Sequence, residues 1–142
     1  MTGRGPFLAV ATMAVALAAS PGAGRAQQAL SYEVFKASVQ PIFLKKRPGH
    51  TRCIVCHGGA NNAMRLTPLQ SGATNFTEDQ SKTNFETVSR IVVPGKPMES
   101  HFLIHPLQPE FGGGLYHSGG RQFETTDDPD WKAMAAWVNG AK

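Results

Sequence analysis

The chain has 142 residues, with 14 Lys and Arg against 10 Asp and Glu, and 41% of its residues are hydrophobic. It holds one domain's worth of sequence. The absence of a polybasic run or basic helix argues against nucleic acid as a partner, and with no paired carboxylates and no nucleophile beside a base, hydrolytic chemistry has little support.

The first 26 residues read as an export signal. Arg4 makes a positive start, residues 7–19 (FLAVATMAVALAA) form an apolar core, and Ser20, Pro21 and Gly22 break it before the small residues around Gly24 and Ala26. The apolar stretch is too short for a bilayer, which needs about 20 residues. Residues 1–26 are expected to be removed, leaving a single domain over 27–142 that lies outside the cytoplasmic membrane, periplasmic or otherwise exported, with no stable membrane insertion. The excess of basic residues then falls to two.

A helical pattern begins at Ser31, which can cap it, and carries Val34, Phe35, Val39, Ile42 and Phe43 on one face. Pro41 interrupts the pattern, so a kink or a restart with Pro41 in the first turn is expected. Residues 45–52 (KKRPGHTR) form a basic loop. Its cations are ordinary surface charge, or serve to neutralise acidic groups of a cofactor or to dock an acidic partner, and His50 reads as a solvated loop residue.

Next comes Cys53-Ile54-Val55-Cys56-His57, a CxxCH pentapeptide with the only two cysteines of the chain. This spacing is the attachment signature of a c-type haem: two thiols three residues apart form thioethers to one porphyrin, and the adjoining imidazole reaches the iron. Cys53 and Cys56 are the expected anchors of one covalent haem c, and His57 its proximal iron ligand. A tetrahedral zinc site would have to recruit His101, His105 or His117, which stand at no familiar spacing. A redox dithiol would call for a strand in a βαβ unit, which the pattern lacks.

Gly58 to Asn62 are small residues suited to a close turn. Met64 to Leu69 read as extended or loop, residues 72–82 as polar surface loop, and residues 80–91 as a short helix bearing Phe85, Val88 and Ile91. Pro97 opens a further short helix, residues 98–105, with Phe102 and Leu103 inside. A glycine-rich loop follows at 111–120. Asp127 or Asp128 caps the last helix, Pro129 opens it, and Trp131, Met134, Ala135, Trp137 and Val138 form a stripe expected to pack on the first helix.

A helix, CxxCH, a glycine-rich segment and a closing aromatic helix resemble a class I, monohaem cytochrome c. More narrowly, Val39-Gln40-Pro41-Ile42-Phe43 and Val93-Pro94-Gly95-Lys96-Pro97 with Ser100 are similar to the exported cytochrome-c-like domains of planctomycetes and acidobacteria. The resemblance covers residues 32–139. It implies an all-α fold of three to five short helices around one covalently bound haem, with the N- and C-terminal helices crossing. Many members carry a Met-Pro-Pro loop ahead of the last Trp; this chain has none, and His117 stands at the matching place, 20 residues before Trp137. His117 is therefore the first candidate for the distal iron ligand. Met98, 41 residues after His57, is the alternative, ahead of His105 and His101. Met64 is too close to the motif, and Met134 belongs to the core face of the last helix.

The expected function is one-electron transfer to and from redox partner proteins, among them a larger dehydrogenase or oxidase. The alternative is a haem enzyme, or a gas or peroxide sensor, with an open sixth position lined by Tyr116 and His117.

Overall fold

The computed structural model describes residues 1–2 and 29–142. The export segment read over residues 1–26 therefore lies outside the described residues, but for its first two. The fold is all-α: five α-helical elements and no strand among the described residues, with isolated bridges only at Gly58 with Leu66 and Leu107 with Phe123.

The first element, α1, is one rod made of Tyr32–Val34, Phe35–Val39 and Gln40–Leu44. Ser31 caps it by accepting from the Val34 N–H. The middle stretch is a π turn, in which the Gln40 N–H reaches back five residues to the Phe35 carbonyl. Its cause is Pro41, which has no N–H to give to Ala37 and whose ring crowds that carbonyl. The helix restarts with Pro41 in its first turn. Phe35, Val39, Ile42 and Phe43 all face inward.

The second element, α2, is the short helix Cys53–His57, and the third, α3, runs over Glu78–Ser89. The latter starts earlier than the apolar pattern suggested, inside the stretch read as polar loop, because Thr77 and Gln80 form a capping box. It also stops short of Ile91. Its inner face includes Ser81 and Asn84 beside Val88, polar residues that hydrogen bonds from Gln40 and the Thr67 N–H make tolerable there.

The helix read over 98–105 is broken in two. A 3₁₀ turn, Pro97–Glu99, is followed by α4, His101–Ile104, and the break falls at Ser100, whose backbone is extended. Its buried hydroxyl donates to the Lys96 carbonyl and accepts from the Val93 N–H, so the side chain ties down the preceding turn in place of helical continuity.

The last helix, α5, is Pro129–Val138, capped by Asp128. Its whole expected stripe is buried. Trp137 fills the centre, with ring centroids 5.3 Å from Phe35, 6.0 Å from Phe102 and 6.2 Å from Phe85. Its Nε1–H donates to the Ser31 carbonyl at 2.9 Å, so the last helix holds the start of the first. The basic loop has a use that its charge alone did not reveal: Arg47 pairs with Asp128 and Asp130, Lys45 joins Asp130, and the Arg47 guanidinium lies 4.9 Å from the Phe123 ring centre. These cations secure the N-terminus of α5, where the helix dipole favours the carboxylates they meet.

Candidate functional site

One cleft gathers the chemistry. Cys53, Cys56 and His57 line one side, and His101, His105 and His117 the other, over an apolar floor that includes Phe43 of α1, Phe102 of α4 and Met134 of α5. In α2, buried Ile54 anchors the helix to the core, while both cysteines and His57 border the cleft. The tight turn that follows depends on glycine twice. A Cβ on Gly58 would stand 2.5 Å from the Ile54 carbonyl oxygen, and Gly59 has a φ of +72°. Beyond the turn, the Leu66 N–H donates to the His57 carbonyl and the Gly59 N–H to the Leu66 carbonyl, which brings Asn62 and Met64 back over the His57 ring.

That return sets the tautomer of His57. Its Nδ1 lies 3.2 Å from Asn62 Oδ1 and 3.1 Å from the Met64 carbonyl oxygen. A carbonyl can only accept, so Nδ1 carries the proton and Nε2 keeps its lone pair. Burial holds His57 below the usual imidazole range, with the two hydrogen bonds opposing that shift, so the ring favours the neutral form needed for ligation.

The facing side is built by the loop after α4. Its glycines do not leave it slack: the Gly113 N–H donates to the Gln108 carbonyl, the Gly114 N–H to that of Ile104, and the Gln122 N–H to that of Pro106. A Cβ on Gly113 would collide with the Leu107 carbonyl. At the loop's far end His117 donates from Nδ1 to the Gly120 carbonyl, 2.5 Å away. Here too Nε2 is the free ligating atom.

The rings of His57 and His117 have centroids 6.2 Å apart and planes inclined by 17°. A metal–imidazole bond of about 2.0–2.1 Å, with each ring centre about 1.1 Å beyond its nitrogen, places two rings on opposite sides of one metal about 6.3 Å apart. The observed centroid separation is close to that distance, with the two rings stacked and nearly parallel. A porphyrin brings its own equatorial donors and would ask of this chain only axial imidazoles. The thiols suit the same group. Neither is in a disulfide, and burial pushes the Cys53 thiol up to about 11.

Of the other candidates, Met98 is exposed and rests near Gly112, outside the cleft. Met64 lines the cleft and contributes its carbonyl to His57; Met134 is a buried core residue that reaches the floor. His50 is outside the cleft, as is Tyr116, which is 73% exposed. His105 is more central than its sequence position suggested, with its ring centroid 5.0 Å from that of His117 and 4.4 Å from that of His101. The spacing of His101 and His105, one helical turn apart, was the available signal. Asn62 had none, since only the turn at Gly58 and Gly59 brings it to His57.

No family model, curated protein or solved structure matches the chain. The chemistry of the site rests on its own donors.

Proposed function

We propose that this protein is an exported monohaem c-type cytochrome that carries single electrons, with Cys53 and Cys56 as thioether anchors, His57 as proximal ligand and His117 as distal ligand. One observation carries the reading. Two imidazoles, each hydrogen-bonded through Nδ1, stack with their ring centroids 6.2 Å apart in the cleft that both cysteines of the CxxCH motif also line. The packing of α1 against α5 around Trp137 supports the cytochrome-c-like assignment of the fold.

The haem iron, when bound, supplies a one-electron couple. The chain's own groups do the rest. Asn62 and the Met64 carbonyl hold the His57 ring in one tautomer, and the Gly120 carbonyl does the same for His117. Phe43, Phe102 and Met134 keep water from the floor, which lowers the local dielectric. Two imidazoles set a lower potential than a His and Met pair, because thioether ligation raises it. Arg52 is the basic residue of the 45–52 loop that lines the cleft, and it offers a cation to the acidic edge of a bound haem. The partners are redox proteins, a larger dehydrogenase or oxidase among them, and the residue 1–26 signal directs the chain outside the cytoplasmic membrane. No described helix is long and apolar enough to cross a membrane.

The test is expression of the full chain in a host that matures c-type cytochromes. The expected product keeps its haem through acid–acetone extraction, shows a pyridine haemochrome of two saturated vinyl groups, and is low-spin in both oxidation states. Extractable haem would overturn the anchoring, and a high-spin ferric spectrum would favour the open-site enzyme or sensor instead.

A further inference from the structure

We infer that His105 is a reserve axial ligand, positioned to take the distal coordination site when His117 leaves it. The inference rests on the reading of His117 as the first distal ligand and goes beyond it. Both residues line the cleft that His57 also lines. Their ring centroids are 5.0 Å apart, closer than His117 is to His57, and their planes are nearly perpendicular at 86°.

The two side chains are held differently. His117 sits near the end of the glycine-rich loop, and its Nδ1 is engaged by the Gly120 carbonyl. His105 has its backbone fixed instead: its N–H donates to the His101 carbonyl, and its own carbonyl accepts from Arg121 Nη1 at 2.7 Å. No hydrogen bond to either of its ring nitrogens is present among the described residues, so turning the ring breaks none. This difference ranks the ligands. A ring whose second nitrogen is hydrogen-bonded is the better oriented and more basic donor, so His117 holds the site and His105 waits.

The exchange is a ligand substitution. With a haem bound, His117 Nε2 would give up its place as axial donor and a His105 ring nitrogen would take it, with both imidazoles neutral and no electron transferred. Its consequence is that displacing the loop that bears His117 does not open the iron to exogenous ligands.

The experiment compares ferric and ferrous spectra of the haem-loaded wild type, His105→Ala, His117→Ala and the double variant, with CO binding to the ferrous forms as a second readout. The expected results are a wild-type spectrum for His105→Ala, a six-coordinate low-spin spectrum with two nitrogen ligands and slow CO binding for His117→Ala, and a high-spin spectrum with CO binding at least tenfold faster for the double variant. A His117→Ala protein that is already high-spin and matches the double variant overturns the reserve role while leaving His117 as the distal ligand. A double variant that stays low-spin overturns it too, since another group then fills the site. If His117→Ala leaves the wild-type spectrum unchanged and His105→Ala abolishes it, His105 is the primary ligand and the His117 assignment itself fails. His117→Asn, which keeps a polar side chain in the loop, repeats the comparison should the alanine variant fold poorly.

Discussion

Replacing Asn62 by Asp puts a carboxylate where a neutral amide oxygen now lies 3.2 Å from His57 Nδ1. In the proposed cytochrome, the iron on the far side of the ring lies about 4 Å from Nδ1, so the new charge stands about 7 Å from the metal, given a metal–nitrogen bond of about 2.0–2.1 Å. Two unit charges at about 7 Å interact by about 0.6 kcal/mol in water and about 2.4 kcal/mol at an effective dielectric of about 20. For a one-electron couple, where about 1.4 kcal/mol is a factor of ten and about 59 mV, the range is about 25–100 mV. Asn62 is exposed, which places the expectation toward the lower end. The sign is fixed: a nearby anion stabilises ferric over ferrous iron, so the midpoint potential must fall. Spectroelectrochemical titration of wild type, Asn62→Asp and Asn62→Ala, each at low and high ionic strength, measures it. Asn62→Ala should shift less, because the Met64 carbonyl still holds the ring. A potential that rises in Asn62→Asp, or a shift that does not shrink with salt, would refute the placement of Asn62 behind the proximal ligand.

Three further outcomes follow from the packing and charge. Trp137→Ala removes the centre of the aromatic cluster and is expected to cost about 3–5 kcal/mol in denaturant unfolding, whereas Trp137→Phe keeps the ring, orphans the Ser31 carbonyl and should cost about 1–2 kcal/mol. Gly58→Ala drives a methyl against the Ile54 carbonyl at the end of α2, with an expected loss of about 1–3 kcal/mol and a lower haem-to-protein ratio after expression; a neutral result would contradict the tight turn. Arg47→Met should destabilise by about 1–3 kcal/mol near neutral pH, between the values for exposed and for buried pairs. Burial alone would raise the Asp128 carboxyl, but its hydrogen bonds and the Arg47 charge outweigh that and hold it below its ordinary value. A depressed carboxyl stabilises the fold above its unfolded pKa of about 3.9 and loses that contribution as pH falls through the lower folded value. The gap between wild type and variant should therefore close below about pH 4; a gap independent of pH would count against the ion pair as its source.

The parts of this molecule legible in its sequence are those whose causes are local. Ser31 and Asp128 cap the helices they precede, and the α5 stripe is buried as its period requires. Pro41 announced the restart of α1, though not the form it took, since a π turn depends on packing on both sides of the proline. The start of α3 was legible too, in Thr77 and Gln80, but the polar character of the segment masked it because its inner face carries Ser81 and Asn84. The break at Ser100 was not legible: its hydroxyl serves Val93 and Lys96, and a helical pattern says nothing of such a competitor. At the cleft, the CxxCH motif marked three residues, Cys53, Cys56 and His57, that all line it. The tether of His57 and the nearness of His105 to His117 arise from backbone pairings at Leu66 and Gly114, which no spacing in the chain encodes.

The hydrogen bond from Trp137 to Ser31 joins positions 106 residues apart. Both thiols and all the cleft histidines lie on the chain between its ends. Closing so long a span costs little more entropy than closing a shorter one, because the cost grows only with the logarithm of length. It also sets an order of events during synthesis. The floor of the cleft needs Met134, so it is complete only after nearly the whole chain has been made, and until then Cys53 and Cys56 sit in an unfinished pocket. Cutting the chain ahead of α5 would thus remove the site's support without removing either thiol or any of its imidazoles.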